Sequence, residues 1–323
     1  MSHHSRVGQT LLFVNVRLID PATGLDRPGA LLVRDGRIVA HGPAVERPDD
    51  AAIIDGGGAI LCPGLVDLRA VPDDAAAAAG GVTTVARLSA GDRLEACATE
   101  GETATRLGLP ASPAAAEAVF VAGRIAEGRH VGNLSTEVAI ALVRDAKARG
   151  QKITADTSPA YFDLNETAIG AWDSGCRLSP PLRDDADRVA VLNGLRDGTI
   201  DAIASDHTPV AFAAKDRAFE RAAPGGVGLS TLLALTLAHV HNGDLRLMAA
   251  LALLTCRPAR VLNIDAGTLA IGAAADLCLF DPDRIFRVRA GELPGLGQNT
   301  PWDGRALEGR VLGTWVGGMR VLG

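Results

Sequence analysis

The chain has 323 residues, enough for a large core arranged as two domains or as one barrel with an appendage. Hydrophobic residues make up 47% and charged residues 22%, a globular composition, and a formal net charge of −6 argues against nucleic acid or an anionic membrane as the main partner. Five scattered cysteines (Cys62, Cys97, Cys176, Cys256, Cys278) without a C-x-x-C spacing argue against a disulfide framework or zinc knuckle and read as reduced thiols. Met-Ser-His-His-Ser at the start lacks the apolar run of a signal peptide, and no stretch is long and clean enough to span a bilayer, so a cytoplasmic location is expected. Aromatic residues are only 3%, which leaves an aliphatic, alanine-rich core.

In chain order, residues 11–18 alternate loosely and predict a strand, Asp20-Pro21-Ala22-Thr23-Gly24 a turn, and 30–34 a strand. Asp35-Gly36 is a hairpin signal before the strand 37–40, and 45–55 leads into Gly56-Gly57-Gly58. The other end has the same character, with strands expected within 267–280 and 309–322 around Gly317-Gly318. Two β-rich ends flanking a different middle imply a small β-sandwich-like domain built from both termini, residues 1–60 and 263–323.

Between them, residues 61–262 alternate strand and helix, the pattern of a parallel sheet, open or closed. Helices are expected at 75–79, 114–127, 135–149, 184–195, 229–241 and 245–256, and strands near Leu61, Val82, His130, Ile153, Cys176 and Ile200. In 135–149, Val138, Ala141, Leu142 and Ala146 form an apolar face opposite Asp145, Lys147 and Arg149, and Ser135 is the expected N-cap. Six strands are too few for a full eight-stranded barrel. The block holds about 200 residues where about 250 are usual, a deficit we place in 88–102. An incomplete barrel would leave strand edges unpaired, which dimerisation could cover.

Pro63-Gly64-Leu65-Val66-Asp67-Leu68-Arg69-Ala70-Val71 is the most informative segment. An apolar strand ends in Asp-Leu, followed by Arg69 and Val71, which share one face of the strand. Ser179-Pro180-Pro181-Leu182-Arg183, Ser205-Asp206-His207-Thr208-Pro209, Pro224-Gly225-Gly226-Val227-Gly228, Arg257-Pro258-Ala259-Arg260 and Asn299-Thr300-Pro301-Trp302-Asp303-Gly304 follow in order. Together with Leu134-Ser135-Thr136 and Ala104-Thr105-Arg106-Leu107-Gly108-Leu109-Pro110, this series resembles dihydroorotase of the cyclic amidohydrolase superfamily, over most of the chain.

The resemblance implies an α/β fold: a TIM-like (β/α) barrel, here shortened, over 61–262, with the composite β-domain beside it. It also implies a zinc-type centre held by histidines and carboxylates that activates water against a ring carbonyl, and a last-strand aspartate that shuttles the proton. The chain departs from that pattern. The family's first-strand His-x-His reads Arg69 and Val71, and the histidine before Leu-Ser-Thr reads Asn133. The central carboxylate or carboxylated lysine, and the histidine after it, fall in the missing segment. Only Asp206 survives as a catalytic position. The substrate positions read Asp73 for the family's arginine, Ser179 for its asparagine and Val210 for its histidine. At an effective dielectric near 20, a guanidinium held about 4 Å from a divalent ion costs up to about 8 kcal/mol, so Arg69 opposes a metal there, and we expect it to occupy that seat and pair with Asp206.

The expected role is therefore a non-catalytic dihydroorotase-like subunit without a cofactor. The resemblance implies that it supports assembly of the aspartate carbamoyltransferase catalytic subunit in pyrimidine synthesis, as a homo-oligomer. The alternative is an active metal-dependent dihydroorotase or related cyclic amidase, its site rebuilt around Asp206, His207 and His130 and holding zinc. A weaker third reading is a sensor that uses the emptied pocket. Without a metal, Asp206-His207 reads as strand-end packing in preference to a retained catalytic pair. His239-x-His241 does not read as a metal pair, because helical positions i and i+2 diverge. The Gly225-to-Gly228 stretch reads as a loop over the barrel mouth in preference to an anion cradle, and Cys62 as a buried apolar residue.

Overall fold

The computed structural model describes residues 9–88, 94–96 and 114–322. The segment 104–110 and most of the stretch assigned the barrel deficit lie outside them.

The N-terminal strands are β1 (Leu11–Asp20), β2 (Leu25–Arg34), β3 (Arg37–Gly42), β4 (Ala52–Asp55) and β5 (Ile60–Pro63). Asp35 and Gly36 close the β2–β3 hairpin with φ of 53° and 74°, the left-handed pair that such a turn requires. The barrel begins with β6 (Leu65–Asp67), α1 (Asp74–Ala79), β7 (Val82–Leu88) and β8 (Leu94–Ala96). It continues with α2 (Ala114–Ala126), α3 (Glu137–Ala148), β9 (Asp156–Thr157), α4 (Pro159–Asp163), α5 (Asp185–Asp197) and β10 (Ala202–Ile203). Then come α6 (Phe212–Lys215), α7 (Leu232–His241), α8 (Leu247–Leu254) and α9 (Cys256–Leu262). The chain returns to the first sheet with β11 (Leu277–Arg287), β12 (Ala306–Val316) and β13 (Met319–Leu322).

Both termini build one sheet in the order β13-β12-β11-β5-β1-β2-β3, with β4 also on β1. Phe13 on β1 and Trp315 on β12 are separated by two intervening strands, about 14 Å in a flat sheet. Their ring centroids nevertheless lie 4.8 Å apart at 83°. The sheet thus folds over itself around an apolar core that includes Leu18, Leu31, Ile38, Leu61 and Leu277, and the segment leading into β11 reaches the β2–β3 turn, where Ala275 N donates to Gly36 O at 2.8 Å. This is the sandwich-like unit expected from the two ends. It takes in β5, so the apolar strand at Leu61 belongs to this sheet and not to the barrel. Gly64 separates it from the first barrel strand, β6.

In the barrel, β6 pairs in parallel with β7, and its extension at Ala70 bridges His207. β10 pairs in parallel with β9, and Ala155 bridges Val131. The described staves therefore run β7, β6, the 202–207 strand, the 155–157 strand and Val131. Cys176 is not a stave: it closes a short 3-10 turn, Ser174–Cys176, capped by the Asp173 side chain. On its outer side β7 carries β8 in antiparallel register, Ala86 opposite Ala96, so that edge has a partner.

In α3 the sequence reading had the right period but the wrong phase. The buried face is Ala139, Ile140, Val143 and Ala146, and Val138 is 52% exposed. The cap is Thr136, whose Oγ1 accepts from Ala139 N at 3.3 Å; Ser135 is turned inward instead. The helix expected at 245–256 breaks at Thr255 into α8 and α9. Among the described residues no helix is long and apolar enough to cross a membrane.

Candidate functional site at the barrel mouth

Parallel strands bring their C-terminal ends to one rim, and the polar residues there form the candidate site. Asp67 ends β6, with Arg69 two residues on. Asp206 and His207 end the 202–207 strand, Asp156 follows Ala155, and His130 and Asn133 flank Val131. Asn133 and Asp206 have φ of 61° and 49°, a left-handed geometry that Asn and Asp tolerate better than other side-chain-bearing residues.

Asp156 is the hub. It is fully buried, and both carboxylate oxygens accept from Arg69 Nη2, at 3.0 and 2.9 Å. Its Oδ1 also accepts from Asn133 N at 2.7 Å, and its Oδ2 lies 2.8 Å from His130 Nε2. His130 Nδ1 lies 2.8 Å from Thr154 Oγ1, so the ring is held at both nitrogens. Burial alone would raise the Asp156 pKa; the Arg69 charge, His130 and the Asn133 amide outweigh it and bring it to about 2. Burial works to lower the Arg69 pKa, yet it is raised, because the charges of Asp156, Asp206 and Asp67 oppose that effect.

The pairing expected between Arg69 and Asp206 is not the one formed. Arg69 pairs with Asp156, while Asp206 Oδ2 accepts from Asn133 Nδ2 at 3.3 Å. Asp206 acts on Arg69 through its charge. The strand expected near Ile153 continues to Thr157, so Asp156 lies at its end, a position the sequence motifs do not mark. An aspartate at the tip of an apolar strand was the available signal.

Asp67 is a second buried carboxylate. It accepts from Arg69 N and Ser205 N, both at 3.0 Å, and from Ser205 Oγ, which joins β6 to the neighbouring stave. Burial lifts its pKa to about 6, against the opposing effect of the Ser205 bonds. His207 is also enclosed. Its Nδ1 accepts from Gly228 N at 3.2 Å and Leu229 N at 3.4 Å, which puts the proton on Nε2, 3.5 Å from Asp73 Oδ2. Burial lowers its pKa to about 4, so the ring is neutral at pH 7.

The three positions assigned to substrate contacts are held in different ways. Asp73 is buried, caps α1 by accepting from Ala76 N at 3.2 Å, and accepts from Leu296 N at 2.5 Å. Ser179 lies in the loop before α5, joined to Pro180 by a cis peptide. Val210 donates its N–H to Asn299 Oδ1 at 2.9 Å and lines a cleft of about 430 Å³ with Phe212, Lys215 and Leu296. Val71 donates its N–H to His207 O at 2.9 Å. The Gly225-to-Gly228 loop uses its amides internally, on Arg177 O, Asn299 O and His207, as expected of a structural loop. His239 is buried against Asp244 and Asp163 while His241 sits near Glu308, so the two histidines do diverge. Cys62 is fully buried, opposite Cys278.

A zinc centre needs three or more His, Cys, Asp or Glu donors converging on one point. Among the described residues no such group exists. At this rim the carboxylate of Asp156 is already bonded to a guanidinium, an imidazole and an amide.

Residues 177–321 match the amidohydrolase family. The dihydroorotase of Anaplasma phagocytophilum is 30% identical over 424 aligned positions, covering 97% of this chain and 95% of that one. The chain belongs to the dihydroorotase family of amidohydrolases. The dihydroorotase of Syntrophus aciditrophicus is 41% identical over 228 positions, which cover 69% of this chain and 54% of that protein. Alignments of over 400 positions against a 323-residue chain leave about a hundred positions without a residue here, in keeping with a shortened barrel. Among solved structures, dihydropyrimidinase from Brevibacillus agri superposes with a TM-score of 0.81 at 18% identity, covering 97% of this chain and 95% of that one. L-hydantoinase from Arthrobacter aurescens gives 0.81 at 20% identity, covering 97% and 96%. At that identity these two speak for the fold alone, a TIM-barrel amidohydrolase.

Proposed function

We propose that this dihydroorotase-family chain is a non-catalytic member that has lost its metal and substrate ligands, and that it serves pyrimidine synthesis as a subunit supporting assembly of the aspartate carbamoyltransferase catalytic subunit. One observation carries the first half: the Arg69 guanidinium lies at the end of β6, bound to Asp156. A cation placed there opposes a divalent ion, and it engages a carboxylate that a metal would need. Asp206 and His207 then act as strand-end residues, with His207 kept neutral by burial and oriented by the Gly228 and Leu229 amides. The partner comes from the family resemblance and from retained shell segments such as Trp302, whose Nε1 donates to Asp163 at 2.7 Å.

The second reading, an active enzyme with a rebuilt site, draws on one fact. His130, Asp156 and Asp206 still share one rim of the barrel. It predicts about one equivalent of zinc and ring opening of dihydroorotate. Mass-spectrometric metal content of the purified protein, together with a dihydroorotate assay, separates the two. The non-catalytic reading expects neither zinc nor turnover, and a transferase that assembles only in the presence of this chain. Stoichiometric metal with turnover overturns it. A transferase indifferent to this chain overturns the partner.

A further inference from the structure

We propose that Arg69 is a built-in cation that does the charge-balancing work of the family's metal, and that Asp156 and Gly132 are fitted to it. The inference rests on the non-catalytic reading above. Asp67 and Asp156 are both fully buried, and Asp206 is half-buried beside them. Carboxylates gathered at one strand rim need a counter-charge, since an uncompensated buried charge is strongly destabilising. In metal-bearing barrels the ion supplies it. Here one Nη2 contacts both oxygens of Asp156, and the Arg69 side chain is only 12% exposed. His130 Nε2 and the Asn133 amide hold Asp156 from its other side and aim it at the guanidinium.

Gly132 is the independent sign of a fitted seat. A Cβ built on it would lie 1.7 Å from Arg69 Nη2 and 2.8 Å from Cζ. No side chain larger than hydrogen leaves the guanidinium where it is. The seat is also filled unevenly. Arg69 Nε and Asn133 Oδ1 are buried without a hydrogen-bond partner among the described residues. The guanidinium is thus held through one edge, by charge, and not through its whole donor fork.

The test is a set of variants read by thermal unfolding. Arg69→Met leaves Asp156 buried and unpaired, and its Tm should fall by about 5 °C or more. Adding Asp156→Asn to Arg69→Met removes the stranded charge and should recover at least half of that loss. Arg69→Lys keeps a cation and should retain most of the stability. Gly132→Ala keeps every charge but displaces the guanidinium, and should fall toward Arg69→Met. If Arg69→Met does not fold, the yields of single and double variants on refolding give the same comparison. A double variant no more stable than Arg69→Met, or an Arg69→Met as stable as the parent, overturns the proposal. Either result would leave the non-catalytic reading to metal content and turnover, which decide it separately.

Discussion

His207 and Asp67 sit within one rim and pull stability in opposite directions with pH. His207 has a folded pKa of about 4, below its ordinary 6.5, because burial disfavours the imidazolium. Between those values the unfolded chain binds more protons, so stability is lost as pH falls from 6.5 to 4, by about 3 kcal/mol at most. Asp67 has a folded pKa of about 6, above its ordinary 3.8. There the folded chain binds more protons, so its contribution is present below pH 4 and is lost as pH rises to 6, by a similar amount. The parent should therefore change little over this window. In His207→Gln only the Asp67 effect remains, and stability should rise as pH drops from 6 to 4. Denaturant titrations at pH 7 and pH 4.5 check this; parallel profiles for the two proteins would refute it.

At the scale of elements, neighbouring hydroxyls do different work. Thr136 caps α3, and its loss in Thr136→Ala should cost about 1 kcal/mol. Ser135 is buried, and its N and Oγ donate to Glu117 at 2.8 and 2.6 Å, while Arg183 Nε donates to its Oγ at 3.2 Å. Ser135→Ala takes a hydroxyl from a buried carboxylate and should cost more, about 2 kcal/mol. Equal losses in thermal scans of the two variants would contradict the assignment. Sequence periodicity could not make this distinction. It marks a helix and its approximate start, but which of two adjacent hydroxyls turns inward depends on Glu117 and Arg183, 18 and 48 residues away. The same limit explains the phase error over Val138: the face that is buried is decided by what packs against it. Cys176 misled for another reason. A short apolar run reads alike as a stave or as a turn packed under a loop.

At the scale of the whole molecule, the two ends of the chain complete each other. β11 joins β5 through Leu277 opposite Pro63 and Phe280 opposite Ile60, and Thr314 Oγ1 donates to Ala78 O at 2.7 Å, tying β12 to α1. A chain ending at residue 276 would strip Leu277, Leu279, Phe280 and Trp315 from buried positions. It should fail to fold cooperatively, seen as loss of a sharp thermal transition and rapid proteolysis. A sharp transition near the parent Tm would refute this interdependence.

The sequence by itself determined the composite sheet, the parallel middle, the family, and the placing of Arg69 and Val71 on one face after Asp67. These follow from periodicity, turn residues and ordered motifs, all local properties of the chain. Only the tertiary structure decided that Arg69 binds Asp156 and not Asp206, that Gly132 makes room for it, and that Asp73 caps a helix. Such pairings join residues 87 positions apart, as Arg69 and Asp156 are. They are chosen by strand order around the barrel and by the need to balance buried charge, and neither is written in any one stretch of the sequence.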